Sequence, residues 1–257
     1  EDNITPSYLL PILSHIAGQT IVSEKTLIVF DEVQLCERAL TSLKYFCEDA
    51  PQYHIIVAGS LLGVAVNRAR FSFPVGKVDM KTLYPMDMEE FLLALNEKAL
   101  VKQIKTCFQE DSPLPPALHD KAMGLYRQYL AVGGMPECVM QFAQTGDYIL
   151  IRHTQDTILA SYLNDMSKYN SLNEIKKTRL TYDSVTVQLS KKNTRFQYKL
   201  IKSGGRASEF ENAIEWLTLS GIVSQVYKVT QIKKPLENYR NIYAFKIYVS
   251  DLGLLCA

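Results

Sequence analysis

The sequence predicts an α/β protein: a parallel-sheet core, then a run of helices, then a winged-helix-like α+β region. Three observations carry this. Two strand-like runs, residues 27–32 and 53–58, flank a helix-patterned stretch, and strand, helix, strand within about thirty residues is a right-handed crossover unit. Between residues 87 and 167, apolar residues recur at helical spacing, punctuated by proline and glycine. In the last third, two helical stretches precede two strand-like runs.

Taken in order, residues 6–17 form an amphipathic helix with Pro6 in its first turn and Gly18 at its end. Residues 27–30 are apolar without alternation, the pattern of a strand covered on both faces of a parallel sheet. Residues 38–49 place Leu40, Leu43 and Phe46 on one helical face. Residues 53–58 form a second buried strand ending at Gly59-Ser60, and Lys77 to Leu83 a third, weaker one. Asp87 caps the next helix, with Glu90 at the capping-box position, and that helix is expected to run to about Gln109. Pro113, Pro115 and Pro116 force a loop. Helices follow over 117–131, from Pro136, over 147–167, over 172–190 and over 206–220, where Gly221 stops the last. Strands are expected over 222–231 and 242–250. The domains expected are 1–88 (sheet core), 89–150 (helical) and 151–257 (winged-helix-like).

The chemistry concentrates at the end of the first strand, where Leu27-Ile28-Val29-Phe30 runs into Asp31 and Glu32. Parallel sheets bind ligands at the carboxyl ends of their strands. The pair reads as a Walker B element: Asp31 holds Mg²⁺ on a nucleotide and Glu32 polarises the attacking water. A buried strand ending in two solvated acids fits the same run. Ser60, at the end of the adjacent strand, is placed to contact a γ-phosphate or the attacking water; it also fits as a small turn residue. Gln34 is a candidate restraint on Glu32. Gly133-Gly134-Met135-Pro136 is either helix punctuation or a turn laid over a nucleotide, where glycines permit close backbone approach. Arg68 and Arg70 are candidate arginine fingers acting across a subunit interface, or surface arginines.

Absences bound the rest. The sequence holds no phosphate-cradling G-x-x-x-x-G-K-[ST]. Val75-Gly76-Lys77-Val78 has the wrong spacing and the wrong preceding element. These residues alone are therefore expected not to hydrolyse ATP. The five cysteines are widely spaced with no C-x-x-C, and the four histidines are scattered, which supports neither a disulfide framework nor a zinc site. No window approaches a membrane span, so a cytoplasmic location and no membrane partner are expected. Charge is asymmetric: residues 1–149 carry 12 basic and 18 acidic side chains, a net −6, and residues 150–257 carry 16 and 9, a net +7. Such a basic half suggests a duplex-DNA surface, docking against the acidic half, or a solvated face.

These motifs together resemble bacterial and archaeal AAA-type ATPases with a conserved C-terminal domain of unknown function. Residues 27–34 resemble the family's Walker B segment, and Ala58-Gly59-Ser60-Leu61-Leu62-Gly63-Val64 its sensor strand end. Phe73-Pro74-Val75-Gly76-Lys77-Val78 and Leu83-Tyr84-Pro85-Met86-Asp87 are similar to the signature leading into the lid. Tyr129-Leu130 with Gly133-Gly134-Met135-Pro136-Glu137 is similar to the lid motif. Leu189-Ser190, Ala213-Ile214-Glu215-Trp216-Leu217 and Asp251-Leu252-Gly253-Leu254-Leu255 resemble the C-terminal domain. The resemblance implies a partial ATPase core (1–88), a helical lid (89–150), ATP and Mg²⁺ as ligands, Gly134 and Pro136 lining the nucleotide, and possible homo-oligomers. It also implies a P-loop upstream of Glu1 and a restriction-endonuclease-like domain beyond Ala257. The rival is a DNA-binding winged-helix module on a non-catalytic ATPase-like scaffold.

Overall fold

The computed structural model describes residues 2–59, 76–169 and 171–257. It divides into two compact units, Glu1–Thr82 and Leu83–Ala257.

In the first unit, helix α1 (Pro6–Ala17) begins on proline and ends at Gly18, whose φ of +65° is the left-handed conformation glycine adopts freely. Strand β1 (Leu27–Phe30) and strand β2 (His54–Val57) pair in parallel, Leu27 opposite His54 and Phe30 opposite Val57. Helix α2 (Glu37–Asp49) connects them and buries Leu40, Leu43 and Phe46 at successive three-residue steps. Leu40 and Leu43 meet Val33, with Phe30, Ile55, Val57 and Val78 packed around them.

Two expectations fail here. β1 is not covered on both faces: Leu27 is 52% exposed, Val29 57%, and Ile56 of β2 55%. The α2 core covers one face only. The expected strand from Lys77 to Leu83 is absent, and these residues form a turn and irregular backbone. Their apolar–polar alternation is real, but a strand also needs a ladder partner. Val78 packs into the core instead, and Lys77 pairs with Glu48 at 3.0 Å.

The second unit is mostly helical. Helix α3 (Met88–Ala94) starts in the expected capping box: the Glu90 N–H donates to Asp87 Oδ1 and the Asp87 N–H to Glu90 Oε2, each at 2.9 Å. The helix expected to reach Gln109 breaks after about two turns. Asn96 adopts φ +62°, the Asn96 N–H donates to Leu93 O and the Glu97 N–H to Leu92 O. That is a Schellman C-cap with asparagine in the left-handed position. The chain resumes as α4 (Lys98–Gln109). The break lets Leu92 of α3 and Leu100 and Val101 of α4 share one cluster with Leu118, Ala122 and Leu125.

Helices α5 (Pro116–Val132), α6 (Pro136–Thr145) and α7 (Tyr148–Tyr169) follow. With α3 they build a core of Phe91, Val132, Cys138, Val139, Phe142 and Ile151. Helix α8 (Leu172–Leu189) packs on α9 (Ala207–Leu219), and α8 buries the small polar residues Thr178, Thr181 and Ser184. Their hydroxyls donate to carbonyls within α8, Thr178 to Glu174 O, Thr181 to Lys177 O and Ser184 to Thr181 O, so each of these three buried hydroxyls is satisfied. α9 buries Phe210, Ala213, Ile214, Trp216 and Leu217. Strands β3 (Val223–Val229) and β4 (Arg240–Val249) form an antiparallel hairpin with a register shift at Tyr227/Lys228. Helix α10 (Leu252–Cys256) closes the unit against α5 and α7. Among the described residues no helix is long and apolar enough to cross a membrane.

Candidate functional site

The end of β1 is fixed by two hydrogen bonds to the end of β2: the Ala58 N–H donates to Phe30 O at 2.8 Å and the Val33 N–H to Ala58 O at 3.0 Å. Val33 is buried to 1% exposure and anchors the turn in the α2 core. Asp31 and Glu32, between these ties, are both exposed. Glu32 has φ +49° and ψ +42°, the left-handed region that a non-glycine residue enters only when its surroundings impose it. Its N–H donates to Asp31 Oδ1 at 2.9 Å. A 3₁₀ turn, Val33–Leu35, follows and contains Gln34. The two carboxylates are thus presented on a strained, tethered turn at the carboxyl end of a parallel strand.

Asp31 Oδ2 remains available to a cation, and one or two carboxylates with water and phosphate oxygens suit Mg²⁺. Among the described residues no group of three or more histidine, cysteine, aspartate or glutamate side chains gathers to form a protein-only metal cage. A metal carried on a nucleotide fits this donor set. Ser60, Arg68 and Arg70 lie outside the described residues.

The Gly133-Gly134-Met135-Pro136 turn joins α5 to α6 in the second unit. Pro136 occupies the first turn of α6 and is exposed, whereas both glycines are buried. Gly133 has φ +77°. Gly134 O accepts from the Met86 N–H at 2.7 Å, and Met86 O accepts from the Tyr129 hydroxyl at 2.9 Å. The Gly134 N–H donates to Asp251 Oδ2 at 2.6 Å. The Gln155 amide donates to Ala131 O and Val132 O, at 3.0 and 3.1 Å, fixing the end of α5 just before the turn. A Cβ on Gly134 would overlap the Met86 carbonyl oxygen, and one on Gly133 the Asp251 carboxylate. The glycines therefore serve a close approach of the protein to itself. The turn's exposed part is Pro136 with Glu137.

Burial, with the Asp251 charge as a lesser cause, pushes the Cys138 thiol up to about 11. The same two causes raise the Tyr129 phenol. Sequence reasoning gave Asp251 no role. Its position after a strand and before Leu-Gly-Leu is a helix N-cap signal, but the bond to Gly134 spans 117 residues and no local pattern announces it.

Comparison with known proteins places these features in context. Residues 123–257 match a family described as a domain of unknown function (DUF8612), and residues 2–92 match an AAA domain. Among solved structures, a Walker-type ATPase of Pyrococcus abyssi is similar in fold: TM-score 0.53 at 13% identity, over 96% of this chain and 65% of that one. The chain thus spans about two thirds of that structure's length. No curated protein matches it.

Proposed function

We propose that the full-length protein binds and hydrolyses ATP and works as a nucleotide-driven switch: the chain belongs to the family described as a domain of unknown function (DUF8612), its residues 2–92 match an AAA domain, and its fold is similar to that of a Walker-type ATPase. The observation that carries this is the Asp31–Glu32 pair, held on a left-handed turn at the carboxyl end of β1. Asp31 is the residue to hold Mg²⁺. When bound, that ion neutralises charge on the β- and γ-phosphates. Glu32 accepts a hydrogen bond from the attacking water and polarises it. Ser60 takes the γ-phosphate-sensing role, and Arg68 or Arg70 that of an arginine finger in a homo-oligomer. The phosphate-cradling loop has no counterpart in these 257 residues, so the activity is assigned to the full-length protein, and this segment alone is read as inactive.

The test is Glu32→Gln in the full-length protein. The amide keeps the shape but cannot take a proton, so turnover should fall by about 10²- to 10⁴-fold while ATP stays bound. Asp31→Ala should instead weaken Mg²⁺-dependent binding. Retention of most turnover by Glu32→Gln would rule out the role assigned to it.

A second reading, duplex-DNA binding by the winged-helix-like region 151–257, is favoured by one observation. The solvent face of the hairpin carries Lys228 and Lys246 beside Val226 and Tyr248, all exposed. The exposed face of α9 carries Glu211 and Glu215, which would repel phosphates. The hairpin is then the contact element, in contrast to a recognition helix.

A further inference from the structure

The second unit holds a cavity of about 360 Å³, at the small end of the range that ligand pockets occupy. Two helix faces and the end of α10 form it. α5 contributes Arg127 and Leu130, and α7 contributes Tyr148, Ile151, Arg152 and Gln155. Three- and four-residue steps put each set on one side of its helix. Cys256 of α10 completes the wall.

The polar groups here are one-sided. Two guanidiniums line the cavity and no carboxylate does. Among the described residues Arg127 makes no hydrogen bond and no ion pair. Arg152 is anchored at one point, where its Nη1 donates to Cys256 O at 2.8 Å. Asp156 Oδ1 lies 3.4 Å from its Nε, but that pair is exposed and therefore weak. A guanidinium has five N–H donors, so most of those on Arg152 stay uncommitted. Gln155 supplies the complementary group. It is 3% exposed, and its Nε2 donates to Ala131 O and Val132 O, which fixes the amide. Its Oε1 accepts from no described residue. A buried acceptor left without a donor is costly, so the donor must come from what fills the cavity. The remaining walls are apolar: Leu130, Ile151 and the Tyr148 ring, which packs on Phe142 at 5.3 Å.

We propose that this cavity binds a small organic anion. A carboxylate or phosphate head is held by Arg127 and Arg152, an apolar body lies against Leu130, Ile151 and Tyr148, and a ligand N–H or O–H donates to Gln155 Oε1. The planar guanidinium fork matches either head bidentately. Every lining residue falls within residues 123–257, the stretch that matches the domain of unknown function. The ligand touches α5, α7 and α10 at once, so occupancy fastens α10 to both helices.

The experiment uses the full-length protein, with benzoate and phenyl phosphate as probes. Benzamide is the uncharged analogue and inorganic phosphate the bodiless one. Binding is read by calorimetry and by the rate at which iodoacetamide modifies Cys256, with Cys47, also exposed, as the internal reference. At least one probe should bind with a Kd of about 1 mM or tighter, within reach of so small a ligand. It should slow modification of Cys256 and leave Cys47 unchanged. Whichever probe binds tighter identifies the head. Arg127→Ala should weaken binding about 10- to 100-fold, as loss of a charge-assisted bond does. Arg127→Lys keeps the charge without the fork and should weaken it less. Arg127 has no partner to lose, so both variants should keep the wild-type Tm. Arg179→Ala, at an exposed arginine that does not line the cavity, should bind as wild type does. Failure of both probes to bind or to protect Cys256 overturns the proposal. So does binding that Arg127→Ala leaves unchanged, or an uncharged or bodiless analogue that protects Cys256 as well as its bound counterpart.

Discussion

Gly134→Ala isolates what the α5–α6 turn demands of its backbone. Gly134 has no left-handed φ, so the argument is steric. A Cβ there would overlap Met86 O and lie 2.7 Å from Met86 N and 2.9 Å from its carbonyl carbon. All three are backbone atoms, which cannot rotate away. Met86 is also held by the Tyr129 hydroxyl and by its own bond to Gly134 O. Overpacking of this kind costs about 1–3 kcal/mol. Separation of the two segments breaks the 2.7 Å Met86–Gly134 bond, about 1 kcal/mol more. It also strains the bond to Asp251, a charged acceptor worth about 1.5–3 kcal/mol. The lower entropy of the unfolded alanine chain returns about 0.4–1 kcal/mol. The net expectation is about 3 kcal/mol, or roughly 6–12 °C in Tm for a unit of this size. Urea unfolding followed by the fluorescence of Trp216 reads the second unit, because it is the only tryptophan and is buried. Gly124→Ala is the control: it lies inside α5 with nothing within 4 Å of an added Cβ, and should stabilise by about 0.4–1 kcal/mol. A Gly134→Ala protein within about 1 kcal/mol of wild type would refute the steric reasoning.

Further expectations concern pH and salt. Folding holds the Cys138 thiol at about 11 against an ordinary value of 9.0. The unfolded chain therefore releases that proton first, and the stability tied to the neutral thiol is complete below pH 9 and lost as pH rises toward about 11, by up to about 3 kcal/mol. The stability difference between wild type and Cys138→Ala should shrink across that interval, and a constant difference would contradict the assignment. For the hairpin, binding to duplexes of unrelated sequence should weaken with salt at a slope of about −0.9 per phosphate contact. Lys233→Ala/Lys234→Ala, at two exposed lysines in the connection between β3 and β4, should weaken it further; salt-insensitive binding, or no loss in the double variant, would exclude this mechanism.

What the sequence made legible was what short-range physics decides. The continuous apolar runs of β1 and β2, the three-residue spacing of Leu40, Leu43 and Phe46, and the Asp87–Glu90 capping box each declare themselves within about one or two helical turns. The break at Asn96 was missed because the helical periodicity continues across it. Only a left-handed asparagine marks the cap, and asparagine is also tolerated inside helices. The absent third strand failed for the opposite reason. Lys77 to Leu83 has the right alternation, but a strand is defined by its hydrogen-bond partner, which lies elsewhere in the chain.

The candidate site divides along the same line. Asp31 and Glu32 were legible because adjacent carboxylates at a strand end are unusual and local, although the strained φ of Glu32 was not. The turn at Gly133–Gly134 was legible as a place where the backbone approaches something closely. Its neighbour was not legible, because glycine records only that a side chain would not fit and says nothing of what fills the space. Here Met86 and Asp251, from opposite ends of the second unit, fill it. That changes how the motif is to be understood. Two glycines beside a proline read as a surface for a ligand, yet the glycines are spent on internal contact and only the proline is left exposed. The conformation of the turn is therefore set by the backbone contacts that Asp251 and Met86 make with it.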